Sequence, residues 1–389
     1  EPDDALNQYY LSMLLAYTGV RGNSIPEIGE YLSRAVASDG TAPEGTVYLL
    51  ENSNVRSVTR QPLFPTTVAE LARRDRKAAI LGRGDKGQNG IIPMSRDDVI
   101  GAVVGAQRFD WKKSHSQMLP GAIAESLTSY GGHFDKASQT KLTAFLRHGA
   151  AGSSGAVAEP FSFQEKFPVP LLHVYYADGC SLAEAYYQSV QAPYQLIIVG
   201  DPLARPFARF AQVGLQAPDP AMAWSGVVTI DPKLQPADGT ALETVELWID
   251  GQHLASAPAG KPLIWDTRTV EDGGHELRIV AVEDSPIETR SAYRTAISVF
   301  NRDRRITVEQ SPAEVRYEQA VEITGHAPGA KVVELRRGHQ LLAAADLQDG
   351  RWQLSVPASV LGMGEVMLQV RAVFLDGQGV RSAPLAIRV

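Results

Sequence analysis

Apolar residues recur along this chain with two different periods, and the change from one to the other falls near residue 215. Before it, strand-like apolar runs alternate with segments of helical spacing, the pattern of an α/β layer architecture. Residues 26–37 read as a helix that starts at Asn23 or Ser24, and 45–51 as a buried strand. Thr67 is placed to cap the next helix, with Val68, Leu71 and Ala72 on its inner face. Strands are predicted at 78–81, 98–104 and 121–127, then a helix at 140–147 and a loop of small residues at 149–155. Ser181 and Glu184 have capping-box spacing for a helix running to Val190. A last buried strand, 195–199, precedes Gly200-Asp201-Pro202-Leu203.

After Ala217-Pro218-Asp219-Pro220 the helical period disappears. Short alternating strands are predicted at 226–230, 244–249, 263–265, 275–282 and 295–300, separated by turn signals such as Asp250-Gly251 and Asp272-Gly273. A linker at 301–305 leads to a second set at 320–324, 331–336, 341–346, 351–356, 367–374 and 385–389. Two immunoglobulin-type sandwiches fit this spacing. With 389 residues the chain exceeds one ordinary core. The predicted division is therefore 1–215, 216–302 and 303–389.

Charge and composition narrow the function classes. A net charge of −7 argues against a nucleic-acid partner, which needs clustered Lys and Arg. The basic pairs Arg73-Arg74 and Lys112-Lys113 and the run 302–305 read as solvated surface. No run approaches the roughly 20 apolar residues of a membrane helix. The single cysteine, Cys180, excludes an intramolecular disulfide and a cysteine-based zinc site. The chain opens at Glu1 with no Met and no leader, which predicts a processed or partial product. Leu6, Tyr9, Tyr10, Met13, Leu14 and Tyr17 have helical spacing, so an upstream part of the same domain is expected.

The string Leu127-Thr128-Ser129-Tyr130-Gly131-Gly132-His133-Phe134, the small-residue segment Gly149-Ala150-Ala151-Gly152-Ser153-Ser154-Gly155, Ser181-Leu182-Ala183-Glu184-Ala185-Tyr186-Tyr187 and Gly200-Asp201-Pro202-Leu203 together carry a resemblance. Residues 1–215 resemble an uncharacterised bacterial family that is itself distantly similar to gingipain-like cysteine peptidases of the caspase fold. The later strands, with Val245-Glu246-Leu247-Trp248-Ile249-Asp250-Gly251 and Gly274-His275-Glu276-Leu277, resemble bacterial Ig-like domains, which usually belong to exported proteins. The resemblance implies a caspase-like (gingipain-like) α/β three-layer domain followed by two all-β Ig-like sandwiches.

The same resemblance aligns Gly132 and Phe134 with the peptidase turn and puts Ser129 where active members carry cysteine. A serine needs a base to remove its proton. Active members carry Gly-His-Gly at the end of the preceding strand, and here that end reads Gly105-Ala106-Gln107. His115, in the polar loop, and His133, in the turn, are the two histidines that could reach Ser129. The alternative is that Thr128 and Ser129 hydrogen-bond a Gly-rich turn.

Cys180 is a second candidate nucleophile, since it precedes a capped helix whose N-terminal dipole would favour a thiolate, with His173 seven residues earlier on an apolar strand. The other reading is a cysteine packed at a corner. Asp178, Asp201 and Glu159 would form a metal site only if their loops converged, and Asp201 before Pro202 also suits a turn. No metal and no cofactor are expected. The segment 149–155 lacks the Lys-Ser/Thr of a phosphate loop, so its small residues suggest close backbone approach. Trp224, Trp248, Trp265 and Trp352 suit a core better than a carbohydrate-stacking face.

The expectation is an exported, non-catalytic degenerate peptidase with a structural or adhesive role at the cell surface. Its expected partners are its own upstream segment or other copies of itself. The alternatives are a hydrolase acting through Ser129 or Cys180, and a glycan- or peptide-binding module.

Overall fold

The computed structural model describes residues 13–85 and 87–389. The chain forms two compact units, one ending at Arg209 and the other spanning Phe210–Val389. In the first unit the elements run β1 (Met13–Leu14), α1 (Ile25–Ser38), β2 (Thr46–Glu51), α2 (Val55–Val58), α3 (Phe64–Ala72), β3 (Lys77–Gly82) and β4 (Val99–Val104). They continue with β5 (Met118–Ser126), α4 (Thr143–Arg147), β6 (Gly152–Ala156), α5 (Leu172–Ala177), α6 (Leu182–Ser189) and β7 (Leu196–Gly200).

The described strands form one sheet in the order β1-β7-β6-β5-β4-β2-β3, parallel throughout except where β6 meets β7. β2 and β4 are apolar runs buried almost end to end, as a sheet covered on both faces requires. The winding direction reverses between β2 and β4, so the carboxyl ends of these strands frame the switch point of a doubly wound sheet. Ser24 caps α1 and Ser181 caps α6, each in a full capping box with Glu27 or Glu184.

Several local expectations are corrected. Thr67 lies inside α3, where its Oγ1 donates to Leu63 O, because the helix starts at Phe64 with Pro65 in its first turn. The buried face of α3 is Phe64, Thr67 and Leu71, and Ala72 is exposed. Residues 152–156 are strand β6 instead of a loop: small side chains let it pass close to the 128–134 turn and to Leu182. His173 is on helix α5, since three local backbone hydrogen bonds start a turn at Leu172. The N-terminal helix expected for Leu6, Tyr9 and Tyr10 lies outside the described residues, while Met13 and Leu14 form a short strand on β7.

The second unit holds two β-modules. The first comprises β8 (Gln212–Ala217), β9 (Ala223–Trp224), β10 (Val227–Gln235), β11 (Leu242–Ile249), β12 (Gln252–Pro258), β13 (Leu263–Asp266), β14 (Asp272–Glu283) and β15 (Arg290–Val299). The second comprises β16 (Thr307–Gln310), β17 (Ala320–His326), β18 (Val332–Arg337), β19 (Gln340–Asp346), β20 (Arg351–Pro357), α7 (Ala358–Leu361), β21 (Glu365–Val373), β22 (Gly379–Arg381) and β23 (Leu385–Arg388). Each module closes its own core, one around Trp224, Leu247, Trp265 and Ile279 and the other around Val321, Leu335, Trp352 and Val370.

The modules repeat one scheme down to the register. Val245 and Leu247 pair with Ala281 and Ile279, and Val333 and Leu335 pair with Ala372 and Val370. In each, a register shift in the hairpin follows the leucine. Asp250 and Gly251 make the expected two-residue turn, both at positive φ. Asp272-Gly273, expected as a turn, instead begins β14 and pairs with β22 of the second module. The two modules thereby share one continuous sheet.

Candidate functional site

β5 delivers the turn 127–134 at the carboxyl edge of the parallel sheet. Gln139 holds the turn: its Oε1 accepts from Thr128 Oγ1 and, at 2.8 Å, from Tyr130 N. Lys141 is buried and donates from Nζ to Tyr130 O at 2.7 Å and Ser138 O at 2.9 Å. Burial, with Arg21 and Lys136 nearby, lowers its pKa. Gly132 N donates to Ala156 O, and a Cβ at Gly155 would lie 2.5 Å from Gly131 C and Gly132 N. Glycine on both sides is what lets β6 and the turn touch. Phe134 anchors the far end by stacking on Tyr17 at 4.0 Å.

Ser129 sits half-buried in this turn, whose side-chain hydrogen bonds run through Thr128, Gln139 and Lys141. The expectation that Ser129 also bonds it is therefore corrected. His133 packs edge-on against Tyr130, with ring centres 5.9 Å apart. His115 is exposed and closes a 3-10 turn at φ 53°. Neither imidazole hydrogen-bonds Ser129.

The end of β4 carries Ala106 where the resemblance would put a histidine, and the backbone around it is tied to neighbouring segments. A Cβ at Gly105 would collide with Ser57 Cα at the start of α2. Asn52 Nδ2 donates to Gly90 O at 2.6 Å and Gly105 O at 3.4 Å. Ser126 Oγ donates to Ala106 O, and Thr140 N to Gln107 O.

Cys180 is buried against α6, and Gln188 Nε2 lies 3.5 Å from its Sγ. Burial pushes the thiol up, and the nearby Glu184 and Asp178 charges add to that. The expected thiolate stabilisation is thus outweighed, because desolvation disfavours the anion more than the helix terminus favours it. His173 makes no hydrogen bond to Cys180. Its ring is buried above Gly101, its Nε2 has no partner, and burial with the adjacent Arg60 pulls its pKa down to about 3.

Beside His173 lies a pair that pattern-reading of the sequence missed. Arg60 Nη2 meets Glu125 Oε2 at 3.3 Å, with 1% and 2% of the two side chains exposed. Ser154 N donates to Glu125 Oε1 at 2.8 Å, and Arg60 Nη2 also donates to Pro168 O, while Arg60 Nε and Nη1 stay unpartnered. Burial raises the Glu125 pKa and lowers that of Arg60. The only signal in the sequence was a glutamate inside an apolar strand, Ala122-Ile123-Ala124-Glu125.

The three carboxylates weighed as metal ligands are each engaged locally. Asp178 pairs with Arg74, Asp201 Oδ1 accepts from Leu203 N, and Glu159 Oε1 accepts from Phe161 N. No group of three or more metal-ligating side chains gathers among the described residues. Trp224, Trp265 and Trp352 are core residues, and Trp248 alone of the four is half-buried, on the outer face beside His253.

No family model matches the chain. No curated protein matches it either. Among solved structures it is similar to the Arg-specific cysteine proteinase gingipain R, with 11% identity over 72% of this chain and 74% of that one, at a TM-score of 0.41. It is also similar to the fibronectin(III)-like modules of Clostridium thermocellum CbhA, with 16% identity over 46% of this chain and 92% of that one, at 0.20. A third is Bacteroides ovatus SGBP-B in complex with a mixed-linkage heptasaccharide, with 13% identity over 45% and 47% of the two chains, at 0.25. No site residue is carried over from any of them. The architecture that the strand orders above define is an α/β unit built on a mainly parallel seven-stranded sheet, followed by two β-modules, each with its own core. No helix among the described residues is long and apolar enough to cross a membrane.

Proposed function

We propose that this protein is an exported, non-catalytic relative of a peptidase fold, with a structural or adhesive role for which the β-modules act as a spacer. The observation that carries this reading is at Ser129: neither His133, packed edge-on against Tyr130, nor the exposed His115 hydrogen-bonds its hydroxyl. A buried thiol with a raised pKa at Cys180 supports it. Labelling the native protein with a fluorophosphonate and with iodoacetamide tests it. The expected result is no modification of Ser129 or Cys180, and stoichiometric labelling of either would sink the proposal.

One observation favours the hydrolase alternative. Lys141, whose pKa is lowered, donates to the carbonyl of the residue next to Ser129, and a serine can take a lysine as its base. That reading requires fluorophosphonate labelling of Ser129 that disappears in Lys141→Met.

A further inference from the structure

The two β-modules meet where β14 begins and β22 ends. Asp272 pairs with Val380 and Gly273 with Arg381, in parallel. Only glycine fits this seam: Gly273 has φ 107°, and any Cβ on it would collide with Arg381 O. A Cβ on Gly274 would lie 2.6 Å from Ser382 O. Gln369 Nε2 bridges the seam by donating to Gly274 O at 2.7 Å and to Ser382 O at 2.8 Å.

Charges surround this backbone contact. Glu271 of the first module accepts from Arg371 Nη2 at 2.5 Å and from Arg381 Nε at 3.0 Å, both of the second. Arg381 Nη1 reaches back to Asp250 at 2.8 Å, and Arg371 Nη1 goes on to Glu334 at 3.1 Å. Buried His275 braces the acidic side, with Nδ1 2.7 Å from Asp250 Oδ2 and Nε2 2.8 Å from Glu271 O. Arginine forks shared between carboxylates are the strong form of such pairing.

The linker is fixed at both ends. Asn301 N and Arg302 N donate to the Asp272 carboxylate at 3.0 and 2.6 Å. Arg304 pairs with Asp376 at 2.9 and 2.6 Å and lies over the Phe374 ring at 4.4 Å. Comparison of the repeats adds specificity. Opposite Glu334 the second module has Arg371, whereas opposite the equivalent Glu246 the first has Val280. The arginine that reaches Glu271 is thus a departure from the shared scheme, placed at the joint.

Tandem modules joined by a linker ordinarily move relative to one another. We infer that these two instead form a single rigid rod, and that the ion pairs around Glu271 are the lock that keeps the joint from hinging. A groove of about 1260 Å³ runs along the joint past Gln252, Arg278, His339 and Met367, and the lock fixes its shape. The rod holds whether or not the α/β unit has any chemistry.

The test uses the full chain in a Cys180→Ser background, spin-labelled at Lys261→Cys and Val360→Cys, exposed positions of the first and second modules. Pulsed electron double resonance is expected to give one narrow distance distribution. In Glu271→Gln/Arg371→Gln/Arg381→Gln that single peak is lost to a broad spread. The milder Arg304→Gln/Arg381→Gln keeps the Glu271–Arg371 pair and is expected to broaden less. A broad distribution in the unsubstituted joint overturns the inference, as does a folded triple variant as narrow as the parent. If the triple variant does not fold, an unbroadened milder variant overturns it.

Discussion

Two clusters of charge hold this molecule together in opposite ways. In the α/β unit Arg60 and Glu125 are almost wholly removed from water, with two guanidinium nitrogens left unpartnered. At the joint, Glu271, Arg371 and Arg381 keep about a fifth to a third of their side chains exposed and satisfy one another several times over. Desolvation outweighs attraction in the first cluster, raising Glu125 and lowering Arg60, whereas in the second the summed hydrogen bonds and charges exceed it and Glu271 is lowered. A buried pair therefore matters chiefly through what breaking it leaves behind, whereas a half-exposed network contributes by what it ties together.

The largest effect is expected from breaking the buried pair on one side. Glu125→Gln leaves Arg60 charged and alone, at a cost of about 3–5 kcal/mol. Arg60→Met/Glu125→Met removes both charges and is expected to lie much nearer the parent. Urea unfolding, followed by hydrogen exchange at β4 amides for the first unit and β14 amides for the second, measures both. If the single and double variants lose equal stability, the pair's charges are not what the site depends on. Arg371→Met at the joint is expected to cost about 1 kcal/mol, discounted for its exposure, and to cost less in 1 M salt. Salt should leave the cost of Glu125→Gln unchanged.

Acid sharpens the contrast. His173 is held neutral, with a pKa of about 3 against about 6.5 in an unfolded chain. Between these values the unfolded state binds the extra proton, so the stability His173 contributes is complete above about pH 6.5 and is lost as pH falls toward 3. The slope is about 1.4 kcal/mol per pH unit. The raised pKa of Glu125 works in the opposite sense, because its native state takes up a proton first. The contribution of His173 is therefore read as the difference between parent and His173→Leu. At the joint, Asp250, Glu271 and Glu334 have lowered pKa values despite burial, through His275, Arg381, Arg371 and Arg336. Their contribution is present above their unfolded values, about 4, and is lost only below that. From pH 6.5 to 5 the variant difference should appear in β4 exchange. An equal pH slope in His173→Leu and its parent would remove the case for a neutral buried imidazole.

What the sequence could show follows the same division. Period and capping made β2, β4, α1 and α6 legible, because Val47-Tyr48-Leu49-Leu50 and the Ser24/Glu27 and Ser181/Glu184 spacings are local signals. β6 has the sequence of a loop, because Gly152-Ser153-Ser154-Gly155 has no strand propensity: its conformation is imposed by neighbours on both sides. Asp272-Gly273 has the chemistry of a turn, yet a glycine with positive φ also suits a strand start that another backbone must approach closely. At the site, alanine at position 106, where the resemblance implies a histidine, could be read directly. Gln139 and Lys141, which hold the turn, could not, since their partners are backbone groups and a hydroxyl brought near only by the fold.

The smallest expected effect separates two neighbouring hydroxyls. Thr128 Oγ1 is buried and donates to Gln139 Oε1, so Thr128→Val leaves that acceptor with only Tyr130 N and is expected to cost about 1 kcal/mol. Ser129 is half-buried, and the turn's side-chain hydrogen bonds run through Thr128, Gln139 and Lys141 instead. Ser129→Ala should stay within about 0.5 kcal/mol of the parent in urea unfolding. A hydroxyl retained for structure would show a cost like that of Thr128, so a loss near 1 kcal/mol in Ser129→Ala would mean the turn depends on it after all. A neutral result, together with absent fluorophosphonate labelling, leaves Ser129 without a structural role in the turn and without reactivity toward the probe.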